Sequence, residues 1–340
     1  MKHSATGRDP LESVTVLGGG AWGTALAQVA AAAGRRVMIW AFEPEVVEAV
    51  NRRHANPLFL PDRPLNPAIA ATGDLKRAAE ADLILAAAPA QHMRGVLAKL
   101  APDIAPGQPI VLCAKGVEQK CLALMTEVLA AEIPQAAPAV LSGPGFAKDV
   151  SRGLPTATTI ASRDPELAQR IVAAIGLPTF RPYVTDDLVG AEIGGSVKNV
   201  IAIACGVAEG RKLGDGARAA LITRGFAELV RLGLAMGARL ETLSGLCGLG
   251  DLVLTCASLT SRNTSLGAAL GEGRSLKDVL AERRSVAEGV GSAPAVVALA
   301  KKYGVEMPIC AAVEAILDAR VSVDDAITAL LSRPFRAEGQ

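Results

Sequence analysis

The sequence predicts an α/β protein in two parts: a doubly wound sheet over residues 1–185, then an all-helical region over residues 186–340. Three observations carry this. A β-branched run, Val14-Thr15-Val16-Leu17, meets a glycine turn and then an alanine-rich stretch, which is the order strand, turn, helix. Further short apolar runs bounded by glycine and proline recur up to residue 185. Beyond Thr185 such runs stop and helical stretches continue to the C-terminus, so the boundary falls near Asp186.

Composition narrows the function before any motif is weighed. Half of the 340 residues are hydrophobic and the formal net charge is +1, which suits a soluble globular chain with no basic field for nucleic acid. Aromatics make up 3%, too few for a base-stacking platform. The expected partner is therefore a small molecule. Six cysteines without CxxC spacing and three histidines imply no metal site, and free thiols in a reducing cytoplasm are the simplest expectation. Residues 14–34 are uncharged, long enough for a membrane helix, but their clustered glycines and the strand that follows argue against insertion. Asp9 and Glu12 stand where a signal peptide would carry a basic flank.

Taken in order, the first twelve residues are polar and expected to be frayed. Gly18, Gly20 and Gly23 then fit a dinucleotide fingerprint of Rossmann type. The first permits the turn, the second lets the backbone approach a pyrophosphate, and the third lets the helix pack on the strand. The free N–H groups of that helix would receive the phosphate charge. A second strand, Arg36–Trp40, leads to Phe42 and Glu43. Glu43 is either the acid that holds the adenosine ribose or an early-helix acid favoured by the macrodipole beside Pro44.

Residues 56–67 are too proline-rich for a regular element and are expected to form an ordered loop across the sheet edge. Strands follow at 82–87, 109–113 and 139–141. Ligands of parallel sheets collect at the carboxyl ends of strands, where Lys115 stands. Ser142-Gly143-Pro144-Gly145 resembles a second backbone-donor cradle before a helix starting at Phe146-Ala147. Residues 156–161 and 179–184 read as two edge strands in antiparallel arrangement.

The helical half carries two polar constellations. Lys198 sits in an apolar helix and shares a face with Ile201, Ala202 and Cys205. Burial lowers a lysine's pKa and fits it for proton transfer; the alternative is a lysine that snorkels at an interface. Asp251 follows glycines and opens an apolar segment, suited to an N-cap or to pairing with Lys198. Ser261-Arg262-Asn263 has the form of a helix start, where an arginine fork and free N–H groups converge as a phosphate requires.

In order along the chain, GGGAWGTALA, PAQ, KGVE, SGPGFA, GGSVKNVIAIACG, ALITRG, GLGDLVLTC, SRN, VAEG and GVEMPI resemble the bacterial NAD(P)-dependent glycerol-3-phosphate dehydrogenases. The resemblance runs from about residue 14 to about residue 331. It implies reversible reduction of dihydroxyacetone phosphate to sn-glycerol 3-phosphate with NAD(H) and/or NADP(H), feeding phospholipid synthesis. By that resemblance Lys198 is the proton donor and acceptor, with Asp251 and Lys115 completing the catalytic set. Lys115, Gly143, Gly145, Asp251, Ser261, Arg262 and Asn263 match the substrate pocket, with Asn199 and Thr255 as additional contacts. Ala21, Trp22, Lys115, Ala147, Arg262, Val286 and Glu288 match cofactor contacts. A cytoplasmic homodimer is implied as well.

One departure matters. Where many relatives place a basic residue after the second strand, this chain has Phe42 and Glu43, and a carboxylate there repels the 2′-phosphate of NADP. Ala21 also replaces a common serine. Two rivals remain: a β-hydroxyacid or 6-phosphogluconate type dehydrogenase, against which SRN and GLGDLVLTC argue, and a cofactor-binding sensor, against which the four polar residues Lys115, Lys198, Asp251 and Arg262 argue.

Overall fold

A computed structural model describes residues 10–283 and 287–335. In chain order its first part comprises β1 (Ser13–Leu17), α1 (Ala21–Ala32), β2 (Arg36–Trp40), α2 (Pro44–Arg53), β3 (Ala55–Asn56), β4 (Leu60–Pro64), β5 (Ile69–Thr72), α3 (Leu75–Ala79) and β6 (Leu83–Ala86). It continues with α4 (Ala90–Leu100), β7 (Pro109–Leu112), α5 (Met125–Glu132), β8 (Ala137–Ser142), α6 (Ala147–Val150), β9 (Thr156–Ala161), α7 (Pro165–Ile175) and β10 (Phe180–Thr185). The rest is helical: α8 (Leu188–Gly210), α9 (Asp215–Ala235), α10 (Leu240–Leu243), α11 (Asp251–Cys256), α12 (Arg262–Gly271), α13 (Leu276–Ala281), α14 (Glu288–Lys302), α15 (Pro308–Leu317) and α16 (Val323–Leu331).

The eight-stranded sheet runs β10-β9-β8-β7-β6-β1-β2-β5. From β5 to β8 every neighbouring pair is parallel, with the strand order reversing about β1 and β6. Apolar side chains cover both faces, as parallel strands require. β1 is fixed in register by Val14↔Val37 on one side and Val14↔Leu83 on the other, so its carboxyl end meets the glycine turn at the centre of the sheet.

Four expectations from the sequence are corrected. Residues 10–12 are not frayed: Leu11 is buried, and Asp82 accepts the backbone N–H groups of Glu12 and Ser13. The proline-rich stretch holds a small antiparallel pair, β3 with β4, whose prolines are tolerated because β4 has no further neighbour to bond. An eighth strand, β5, joins the edge beside β2. β9 is antiparallel to β8, as expected of an edge strand, but β10 runs parallel to β9.

Helix α8 organises the second half. Asp187 caps it by accepting from Gly190 N at 2.8 Å and also holds Arg239 N at 2.8 Å. Its 23 residues are long and apolar enough to cross a membrane, yet its apolar window is 94% buried by neighbouring helices, which makes it a core helix here. Glycines let α12 press against it. A Cβ at Gly206 would lie 2.0 Å from Thr264 O, and one at Gly267 would lie 2.1 Å from Ile203 O. That closeness brings the start of α12 beside Lys198.

Candidate active site

The glycine turn has the form that a dinucleotide needs. Gly18 has φ +123°, and a Cβ there would lie 2.9 Å from the backbone of Ala87. A Cβ at Gly23 would lie 2.0 Å from Gly18 O, so only glycine lets α1 sit this close to the turn. Around Gly20, the residue before α1, a Cβ would meet nothing within 4 Å, and no side chain among the described residues caps the helix. Behind the turn, buried Asn56 donates to Gly19 O at 2.7 Å and to Thr24 Oγ1 at 2.8 Å.

Ala21 and Trp22 open α1, and Trp22 Nε1 is buried without a partner among the described residues. At the carboxyl end of β2, Phe42 is exposed and Glu43 precedes α2 without capping it by its side chain. A depression of about 420 Å³ lies there, lined by Ala41, Phe42, Pro44, Val47, Glu48, Asn51, Arg52 and Gly73. Arg52 was not foreseen; it pairs with Glu48 at 3.2 Å and brings a cation to the same depression.

The chemistry gathers where the two halves meet. Asp251, 1% exposed, holds two ammonium groups, Lys198 Nζ on Oδ1 and Lys115 Nζ on Oδ2, both at 2.6 Å. Lys198 Nζ also donates to Thr255 Oγ1 at 2.8 Å, and Thr255 Oγ1 donates to the Asp251 carbonyl at 2.6 Å. Lys115 Nζ donates to Gly143 O at 2.8 Å and lies 5.7 Å from the centroid of the Trp22 ring. Of the two roles open to Asp251, the N-terminal position before α11 is taken by Gly250, and the carboxylate pairs with the lysines.

Burial pushes Lys198 down to about 8; attraction to Asp251 opposes that fall and repulsion from Lys115 adds to it. Glu288, at the start of α14, is raised by burial against the pull of Arg262, Lys115 and Lys198. Each lysine has three N–H groups, and among the described residues two of them are engaged, which leaves one donor for a ligand.

A relay of amides surrounds this centre. Asn199 Nδ2 donates to Lys115 O at 3.1 Å, Asn263 Nδ2 to Asn199 Oδ1 at 2.9 Å, and Gly289 N to Asn263 Oδ1 at 2.9 Å. Ser261 is the N-cap of α12, accepting from Thr264 N at 3.2 Å, and Arg262 is exposed at the first turn. Gly143 has φ +147°, with a Cβ there 2.9 Å from Thr158 Cα, and a Cβ at Gly145 would lie 3.3 Å from Val150 Cγ2, a milder crowding. Ala147 begins α6. Val286 lies outside the described residues. Sequence reasoning missed Gly194 and Gly195, although two glycines inside a helix were the signal. A Cβ at Gly194 would lie 2.4 Å from Cys247 O and one at Gly195 would lie 3.2 Å from Lys115 Cγ, so these glycines let α8 approach both the turn before α11 and Lys115.

A doubly wound sheet whose central glycine turn faces a helical half supplying a buried, hydrogen-bonded lysine defines the class of nicotinamide-dependent dehydrogenases. Comparison with known proteins narrows the class. Residues 13–168 match the model for the NAD-dependent glycerol-3-phosphate dehydrogenase N-terminus and residues 187–328 that for its C-terminus. The chain belongs to the NAD-dependent glycerol-3-phosphate dehydrogenase family.

It is 65% identical to the NAD(P)+ glycerol-3-phosphate dehydrogenase of Parvibaculum lavamentivorans, over 96% of this chain and 98% of that one. The solved glycerol-3-phosphate dehydrogenase of Coxiella burnetii is 40% identical with a TM-score of 0.92, covering 95% of this chain and 99% of its own. A ketopantoate reductase from Ralstonia eutropha, 19% identical with a TM-score of 0.60 over 93% of this chain and 99% of its own, shares the fold alone.

Proposed function

We propose that this chain catalyses the reversible NAD(P)H-dependent reduction of dihydroxyacetone phosphate to sn-glycerol 3-phosphate, in the cytoplasm, as a homodimer, supplying glycerophospholipid synthesis. Residues 1–185 act as the dinucleotide-binding domain and residues 186–340 as the helical substrate domain. The observation that carries this reading is the buried Lys198–Asp251–Lys115 group, set beside a glycine cradle with room for a pyrophosphate.

When bound, the nicotinamide supplies the hydride. The residues of the chain do the rest. As the carbonyl oxygen gains negative charge, the free N–H of Lys198 donates to it and then transfers the proton. With its pKa near 8, Lys198 interconverts between ammonium and amine close to neutral pH, which serves both directions of the reaction. Asp251 and Thr255 fix the Nζ, while Lys115 adds a second positive charge at the oxygen and the substrate. Arg262, at the first turn of α12 beside the Ser261 cap, binds the phosphate. Asn199, Ser261, Asn263, Gly143 and Gly145 shape that pocket. Gly18, Gly20, Ala21, Trp22, Gly23, Phe42, Glu43, Ala147 and Glu288 line the cofactor side, and Glu43 tilts the choice toward NADH.

The test is to incubate the protein with dihydroxyacetone phosphate and NADH or NADPH and to identify the product by phosphorus NMR. Glycerol 3-phosphate formed one-for-one with oxidised cofactor is expected. No product with either cofactor overturns the reading.

A further inference from the structure

The segment between β7 and α5, residues 113–124, carries Lys115 and contains no helix or strand. Although it leaves the sheet, its buried apolar residues Val117 and Leu124 belong to the core of the helical half, packed with Val197, Val200 and Ile201 of α8. Polar contacts reinforce this. Asn199 Nδ2 donates to Lys115 O at 3.1 Å, and Gln119 Nε2 donates to Gly291 O at 2.8 Å.

The far end of the segment is held by a group that the proposed chemistry leaves unused. Glu192, 4% exposed, lies on α8 before Lys198, with about 9 Å of helical rise between them. Its Oε1 accepts the backbone N–H of Thr126 at 2.9 Å and its Oε2 the Thr126 hydroxyl at 2.6 Å. Leu124, the residue before α5, has no side-chain acceptor, so Glu192 reaches across from the helical half to satisfy the open N-terminus of α5. Burial raises Glu192 to about 7, Glu127 of α5 adds to the rise and the Thr126 bonds oppose it. A carboxyl is thus kept at a site that disfavours its charge, with its oxygens directed at the first turn of another element, at Thr126 and at the Met125 N–H.

We infer that Glu192 is a positioning residue for the reduction: it fastens the start of α5 to α8 and thereby sets Lys115 against Asp251 and Lys198. The inference rests on the roles proposed above for those three residues. Lys115 reaches Asp251 from a segment without regular structure; Asn199 holds its carbonyl and Glu192 the far end of the segment, so both bear on its placement. Displacement of a catalytic group by about 1 Å costs up to about 100-fold in rate.

The test compares Glu192→Ala, Thr126→Val, the double variant, Glu192→Gln and Lys115→Met, reading kcat and KM for dihydroxyacetone phosphate, Kd for NADH by tryptophan quenching, and thermal unfolding. Glu192→Ala is expected to lower kcat about tenfold and Thr126→Val about threefold, with a much smaller change in Kd for NADH, which many other residues hold besides Lys115. The double variant should be no worse than Glu192→Ala, because both break one contact. Glu192→Gln retains an acceptor and is expected to recover most of the rate. Parental kcat in folded Glu192→Ala and Thr126→Val, a parallel loss of NADH affinity, or Glu192→Gln as impaired as Glu192→Ala overturns the inference; if Glu192→Ala does not fold, Thr126→Val decides. A fully active Lys115→Met refutes the site reading itself, whereas an inactive Lys115→Met beside an unimpaired Thr126→Val refutes only the role of Glu192.

Discussion

Replacing Asp251 with asparagine isolates the electrostatics of the centre while keeping its shape. The carboxylate now accepts from two buried ammonium groups at 2.6 Å each. In Asp251→Asn, Lys198 keeps Thr255 and Lys115 keeps Gly143 O, but neither keeps a hydrogen-bonded carboxylate, and Glu288 acts on them only through space. Removing one partner of a buried ion pair costs about 3–5 kcal/mol. Lys198 already titrates near 8 instead of its ordinary 10.5, a penalty of about 3 kcal/mol against its charged form.

Asp251 is the main influence opposing that fall, so its loss moves Lys198 further down. Ketone reduction needs the ammonium, hence the decline of reduction with rising pH should set in at lower pH in the variant. The expected size is a drop in kcat/KM of about 100-fold or more at neutral pH, equivalent to roughly 3 kcal/mol. The assay is cofactor absorbance against dihydroxyacetone phosphate across a pH series, with thermal unfolding to establish that the variant is folded. A folded variant with parental kcat/KM and an unshifted profile would refute the reasoning.

Four further outcomes are expected. Lys198→Ala should lower turnover by about 100-fold or more while NADH affinity, measured by tryptophan quenching, changes little, since Asp251 still has Lys115 as partner. Near-normal turnover would remove Lys198 from the acid–base role. Arg262→Ala should raise KM for dihydroxyacetone phosphate about tenfold or more, and an unchanged KM would move the phosphate site elsewhere. NADH should be preferred over NADPH in kcat/KM because of Glu43, and Arg52→Ala should weaken NADPH use alone; a large NADPH preference would contradict the first, and equal loss of NADH use the second.

Much of this architecture was legible because its causes are local. The strand, turn and helix follow from short-range causes: Gly18 takes a positive φ, and a Cβ at Gly23 would strike Gly18 O five residues before it, although the close approach of Gly18 to Ala87 is a long-range contact. What escaped was decided at long range. β5 is a four-residue strand with three small side chains, ordered partly by Asn51 of α2, whose amide bonds both Ala71 N and Ala71 O. The direction of β10 relative to β9 is set by the crossover through α7 and by the sheet beside it, which periodicity within the strands does not encode.

The same division holds at the site. Lys198 was legible as a charge inside an apolar helix, and Asp251 was named as its partner, but the single carboxylate shared with Lys115 joins residues 136 apart in sequence. Glu192 carried the same signal as Lys198, a charged residue in that same apolar helix, and was overlooked because no neighbouring motif drew attention to it. Asn56 was hidden for a different reason. It lies in a stretch read as irregular, yet its amide supports the glycine turn from behind.

On this reading the Lys198 centre reduces a ketone recognised through its phosphate. This is tested most directly by NADH and NADPH oxidation with dihydroxyacetone phosphate beside unphosphorylated dihydroxyacetone. Rapid oxidation with the phosphate ester, and little with the free ketone at the same concentration, is the predicted result. Equal rates with both ketones, or no oxidation with the ester, would contradict it.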